Sequence, residues 1–282
     1  MWKKSLIAIF ATALVLPSCT LHIIRFGSSD ATLTSTVYTV STGETKSGTI
    51  VGVLDRTSKA SFLAALSKGN RSQTWDETGL HDPVLTNDTL IVTSQDQTMV
   101  VTYTVTVTLY NLRDTGPAGG LIFYINSNYE TDGWKYLEAA PSDQSPDPGT
   151  GWGCMGTLLS GADGMDIGTG KQNTADILAG CSESGIAAEL TVGDLYSNGH
   201  RDWFLPSAEE LDRMNWNLRS GLDENSVVFT PVGNFTDDLY WSSTQYDDNW
   251  AWYDPFNIPY NYEGYDRTDK SDTKYVRAIR SF

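Results

Sequence analysis

"GHRDWFLPSAEELDRMNWNL", from Gly199 to Leu218, carries the clearest helix signal in the chain and organises the reading of what surrounds it. Pro206 leads into Ser207, whose hydroxyl suits an N-cap, and Glu210 three residues on completes a capping box. Leu211, Met214 and Leu218 follow at helical spacing and predict a buried stripe. Glu209 and Glu210 lie in the first turn, where the helix dipole favours negative charge, so neither needs a catalytic explanation. Asp202 reads as a hydrogen-bond anchor before the turn. Trp203, Trp241 and Phe256 read as core, because large aromatics dominate burial.

Outward from this helix the pattern is mixed. "GLIFYI" and "GWKYLEAAPSD" predict strands; "GTGWGCMGTLLSGADGMDIGTG" has too little apolar periodicity for regular structure. "QNTADILAGCSESGIAAEL" predicts one or two helices, with Ile177, Leu178, Cys181, Ile186, Ala187 and Leu190 on the apolar side. The closing "TKYVRAIRSF" alternates as a strand, and Arg277 and Arg280 are placed to pair with acids nearby. Upstream, "STVYTVSTGETKSGTIVGV" and "TLIVTSQDQTMVVTYTVTV" are Val/Thr-rich and alternate at period two, with a hairpin turn expected at Asp96-Gln97. Between them "TSKASFLAALSKG" predicts a short helix, capped by Thr57 or Ser58 and ended by Gly69. The fold class expected is therefore α+β: a small β-rich N-terminal domain over residues 32–109, a Gly/Pro linker at 110–119, and a larger domain at 120–282.

The N-terminus gives an address. Lys3 and Lys4 precede an apolar run ending at Cys19, the form of a secretory signal and too short for the roughly 20 residues that span a bilayer. Leu16-Pro17-Ser18-Cys19 resembles the lipobox of bacterial lipoproteins, although Pro17 is not the usual residue there. The reading is a signal peptide at 1–18, lipidation of Cys19 and a tether at 19–31; an ordinary signal with a chance cysteine is the alternative. Thr20, rather than Asp, after the cysteine favours an outer-membrane or cell-surface address. The formal charge of −16 becomes two units more negative once Lys3 and Lys4 are removed, which excludes nucleic acid as a natural partner. With Cys19 lipidated, Cys154 and Cys181 remain as one pair in an oxidising compartment, the arithmetic of a single disulfide; metal binding by two thiolates is the weaker reading.

"DDNWAWYDPFNIPYNYEGYDRTDKSD" has the turn-rich composition of a long loop. Trp250, Trp252, Tyr253, Tyr260, Tyr262 and Tyr265 alternate with carboxylates, offering flat faces to sugar rings or peptides and acceptors to hydroxyls. Asp266, Asp269 and Asp272 are candidate oxygen ligands for a structural calcium, and no other cofactor is suggested. The competing reading puts half of these aromatics in the core. No catalytic constellation is evident: His200 is the only histidine of the larger domain, and no serine stands in a nucleophile elbow.

"GPAGGLIFYI", "LEAAPSDQS", "WGC", "IGTGKQNTADIL", "GHRDWFLPSAEEL", "YWSSTQY", "AWYDPFN" and "YVRAIRSF" follow one another in the order and approximate spacing of the Lcl C-terminal domain family. This is the C-terminal region of the Legionella collagen-like adhesin, and the resemblance covers residues 116–282. It implies a C-type-lectin-like fold and a non-enzymatic surface domain that binds a glycan or a host or matrix component. It also implies self-association into a homo-oligomer. The collagen-like relative is associated with sulfated glycosaminoglycans, but this chain lacks a collagen repeat and is acidic. Two alternatives remain. "RDWFLPSAEEL" resembles an element of formylglycine-generating oxidases, which need a reactive cysteine pair, and a purely structural surface module is the other.

Overall fold

Val, Ile and Tyr at every second position give the first unit its core. The strands are β1 (Leu33–Ser35), β2 (Thr39–Val40) and β3 (Ser47–Leu54), then helix α1 (Lys59–Ala64), β4 (Leu66–Lys68), β5 (Thr74–Asp76), β6 (Thr89–Thr93) and β7 (Val100–Thr108). The protein is known from a computed structural model that describes residues 27–42, 46–192, 198–221, 228–257 and 264–282. It divides into two units, Met1–Thr108 and Leu109–Phe282. In the first, a five-stranded sheet runs β2-β3-β7-β6-β5, with β3 and β7 parallel and the other pairs antiparallel. Ile50, Val53, Val92, Val101, Tyr103 and Val105 are buried together with Phe62 of α1. The turn expected at Asp96-Gln97 joins β6 to β7, and Gln97 takes a positive φ of 61° there.

The helix expected up to Gly69 stops earlier. Ser58 caps it, its hydroxyl accepting from the Ser61 N–H, but the chain leaves helical geometry after Ala64. Leu66–Lys68 pair instead with Leu33–Ser35, which buries Leu66 in the core. Long-range strand pairing has overridden a local helical preference that six residues cannot sustain alone.

The second unit contains β8 (Leu121–Ile125), the helical turn α2 (Tyr129–Asp132), β9 (Tyr136–Ala139), α3 (Gly170–Gly180), α4 (Ala187–Val192), α5 (Ala208–Met214), β10 (Leu239–Gln245), β11 (Trp250–Pro255), β12 (Asp266–Asp269) and β13 (Ile279–Ser281). The architecture is mixed α+β, as expected. Two three-stranded antiparallel sheets form, ordered β13-β9-β8 and β10-β11-β12. The terminal segment stitches them together: Ile279 pairs with β9, while the Tyr275 N–H and C=O bond to Leu239 and Trp241 of β10. Every residue from Lys274 to Arg280 is buried.

Residues 110–119 pack into this unit. Tyr110 lies edge-on to Tyr136 and Phe282, and the N–H groups of Ala118 and Gly120 donate to the buried Glu138 carboxylate. Gly120 is required here, since a Cβ would fall 1.8 Å from the Ala139 carbonyl oxygen. The Gly-rich segment carries no regular element, and the following stretch is two helices. The buried side of α3 includes Asn173 and Thr174 beside Ile177, while Leu178 is exposed.

The capping box of α5 forms as read: the Ser207 hydroxyl accepts from the Glu210 N–H, and the Glu210 carboxylate accepts from the Ser207 N–H. Leu211, Met214 and Leu218 are fully buried. Beyond Met214 the helix widens into a π-helical turn, Asn215–Arg219.

Candidate functional site

Two hairpin strands carry the aromatic-rich stretch read from sequence as a loop. Trp250–Pro255 is β11, central in its sheet, and Asp266–Asp269 is β12 beside it. Main-chain pairing with β10 stabilises an extended path that composition alone, dense in Asp, Asn and Pro, does not reveal. The turn before β11 is fixed by the Asp247 carboxylate, which accepts from the N–H groups of Asn249 and Trp250.

Alternation along β11 divides its side chains. Ala251 and Tyr253 turn toward the core that contains Trp152, Leu205 and Trp241. Trp250, Trp252 and Asp254 take the opposite side, which changes character along its length. Asp254 is fully buried where α5 and the π-helical turn pack over the strand; Trp252 is half-buried, and Trp250 is 40% exposed.

Around Trp252 an aromatic cluster forms. Tyr246 and Tyr265 meet its ring edge-on, at centroid distances of 5.6 and 5.4 Å. The Arg267 guanidinium carbon sits 4.4 Å from the Tyr246 ring centroid and 5.4 Å from that of Trp252. Both distances are within range for a cation–π contact. Tyr246 is half exposed, and Arg267 is exposed.

One wall of this cluster comes from α5, whose first-turn acids the sequence explains by the helix dipole alone. Burial, then the negative field of Glu209, Asp212 and Asp166, pushes the Tyr265 phenol pKa up. Glu209 and Asp212 are three residues apart on α5 and share a face. Sequence reading had no means of bringing them beside Tyr265, since the two segments lie more than fifty residues apart.

Of the six aromatic residues proposed for ligand contact, the structure brings Trp250, Trp252 and Tyr265 to one face and adds Tyr246. Tyr253 is on the other side, with the Lys274 ammonium 4.4 Å above its ring and 4.9 Å from that of Trp241. Tyr260 and Tyr262 lie outside the described residues, as does Cys19. The candidate calcium ligands are dispersed. Asp266 and Asp269, three apart on β12, project to opposite sides, and Asp272 accepts from the Thr268 hydroxyl. Among the described residues, only Cys154, Cys181 and Glu183 bring three potential metal ligands within 4.8 Å of one another. The two sulfurs of that group are already bonded: Cys154 and Cys181 form a disulfide with a Cα–Cα distance of 5.7 Å.

The charged core explains the remaining motif residues. Arg280 holds Asp202 through two hydrogen bonds of 2.9 and 3.0 Å and reaches Glu138 at 3.1 Å. Burial works to raise the Asp202 carboxyl, but Arg280 holds it below the usual range. His200 lies 3.9 Å from Asp202, whose carboxylate is committed to that arginine. Arg277 does not reach the acids near α5. Its guanidinium pairs with Asp143 at 2.7 Å and donates to the carbonyls of Ala140, Gly233 and Asn234. This arginine closes one side of a pocket of about 210 Å³ lined also by Gly119, Leu121, Pro141 and Phe235. Trp203, Trp241 and Phe256 are buried, in agreement with the sequence reading.

No family model matches the chain, and no curated protein matches it. Among solved structures, a fimbrial protein from Bacteroides ovatus ATCC 8483 is similar at a TM-score of 0.41 and 10% identity, over 69% of this chain and 57% of that one. The chain thus spans a little over half the length of that protein. No helix among the described residues is long and apolar enough to cross a membrane.

Proposed function

We propose that this protein is an exported, lipid-anchored surface protein whose second unit binds a glycan through the open face of β11 and β12, without catalysing a reaction. One observation carries the reading: Trp250 and Trp252 share a face with Tyr246, Tyr265 and Arg267, and Trp250 is 40% exposed despite lying on the central strand of its sheet. Leaving large aromatics uncovered forgoes roughly 1.5–3 kcal/mol of burial each, and uncovered patches rimmed by polar groups commonly mark binding sites. Sugar rings present C–H faces to such aromatics, while the carboxylates around them accept hydroxyl hydrogen bonds.

The C-type-lectin-like assignment, the resemblance to the Lcl C-terminal domain family and the homo-oligomer belong to the same proposal. The lectin-like assignment draws its support from the arrangement of the second unit, in which the first and last strands share one sheet and the candidate face lies on the other. The oxidase alternative needs a reactive cysteine pair, whereas Cys154 and Cys181 are bonded to each other and Cys154 is packed in the core. A glycan-array and matrix-protein screen of the folded chain tests the proposal. Binding to glycans that Trp252→Ala weakens supports it, and a blank screen would favour the structural-module alternative.

A further inference from the structure

The open face of β11 and β12 is not uniformly acidic: among the described residues it carries Arg267, which is held in a particular way. Cross-strand pairing sets Trp250 opposite Asp269 and Trp252 opposite Arg267. Residues directly opposite share a face, with Cβ atoms about 4.5–5.5 Å apart. Two aromatic–charge pairs therefore stand side by side, separated by two residues of strand, about 6.6–6.8 Å. One pair offers an acceptor and the other a donor fork.

The exposed Arg267 guanidinium is held by cation–π contact with two rings, its carbon 4.4 Å from the Tyr246 centroid and 5.4 Å from that of Trp252. Among the described residues no carboxylate lies within ion-pair distance of it. The neighbouring Asp266 carboxylate accepts the Arg267 backbone N–H instead, and Asp247 is spent on its turn. A planar fork held this way matches a carboxylate in bidentate geometry. The surroundings set a limit on what can approach. Asp269, two residues along β12 from Arg267, shares its face, and the chain carries a net charge of −16, so a densely charged polyanion is repelled where a single carboxylate is admitted.

Resting on the glycan reading above, we propose that this face is selective for a sugar bearing one carboxylate. The pyranose ring lies on Trp250, its hydroxyls donate to Asp269, and its carboxylate is clamped by Arg267.

The test uses the full chain and the methyl glycosides of galacturonate, glucuronate and N-acetylneuraminate, each beside its carboxyl-reduced neutral counterpart. Titration calorimetry at physiological salt is expected to show at least one acidic sugar bound tenfold or more tighter than its counterpart. Arg267→Gln should erase that preference without lowering the melting temperature, and Arg267→Lys should restore only part of it. Trp250→Ala should weaken acidic and neutral forms together. Equal binding of both forms, or a preference that survives Arg267→Gln, overturns the carboxylate assignment while loss on Trp250→Ala still upholds the glycan face. A polysulfated heparin-type oligosaccharide bound more tightly than any single-carboxylate sugar through Arg267 also overturns it. If none of the three acidic sugars binds, the inference fails. If a sugar binds but Trp250→Ala leaves its affinity unchanged, the face itself is misassigned.

Discussion

Replacing Asp254 by Asn should stabilise the second unit at alkaline pH and leave it unchanged in acid. Asp254 is fully buried beneath α5 and the π-helical turn, at the closed end of the face that carries Trp250 and Trp252. Its Oδ1 accepts from the Asn215 amide at 2.6 Å, whereas Oδ2 has no hydrogen-bond partner among the described residues. Burial, reinforced by the negative charge of Asp212, pushes the carboxyl from 3.8 up to about 7. A raised folded-state value means that the native protein binds the proton more tightly than the unfolded chain. The resulting stability is full below about pH 4 and is lost as pH rises through about 7. At about 1.4 kcal/mol per pH unit, that interval sets an upper scale of about 4 kcal/mol. An asparagine mimics the protonated acid in shape and keeps the acceptor for Asn215. The variant should therefore gain up to about 3 kcal/mol at pH 8, roughly 6–12 °C in melting temperature for a domain of this size. Tryptophan fluorescence suits the assay, since only Trp2 and Trp75 of nine tryptophans lie outside the second unit. Glu210, also buried and pushed up to about 7 by burial against its backbone donors, shapes the pH profile in the same direction. The informative quantity is thus the difference between wild type and variant. A difference that is flat from pH 4 to 8, or a variant less stable at pH 8, would refute the reasoning.

Three further outcomes follow from the packing and the address. Trp241→Ala empties a fully buried aromatic site whose indole N–H donates to the Thr150 carbonyl, and should cost about 3–5 kcal/mol by chemical denaturation; an unchanged midpoint would contradict it. Cys154 and Cys181 close a loop of 27 residues, so reduction should destabilise the second unit by about 3–4 kcal/mol on the chain-entropy model. Quantitative alkylation of both cysteines without prior reduction would contradict that bond. Cys19→Ala should abolish lipid labelling and release the protein from the membrane fraction, while a wild-type protein that is soluble and unlabelled would remove the lipoprotein reading.

Local signals were legible in the sequence wherever neighbours along the chain decide the structure. The Ser207–Glu210 capping box, the stripe of Leu211, Met214 and Leu218, and the turn at Asp96-Gln97 depend on residues a few positions apart, and all three formed. The misreadings occur where a distant partner decides. Leu66–Lys68 left a helical pattern to pair with a strand thirty residues upstream. Trp250–Pro255 became a central strand because β10 and β12 flank it, although its own composition argues for a loop. The polar core was invisible for the same reason: Glu138, Arg280 and Asp202 satisfy one another across 142 and 78 residues. At the candidate site the aromatic residues were identifiable by type and alternation. The α5 wall of Glu209 and Asp212 and the stacking of Arg267 emerge only when the sheet and helix are assembled.

The central claim, that the open end of β11 is where ligand binds, rests most directly on Trp250. For whichever glycan the array identifies, its affinity for wild type and for Trp250→Ala should be measured by titration calorimetry, with the melting temperature of each recorded in the same buffer. Truncating an aromatic at the centre of a binding face commonly costs 2 kcal/mol or more, so a loss of roughly thirtyfold or greater is expected, with the melting temperature held. Equal affinity for the two proteins would contradict the assignment.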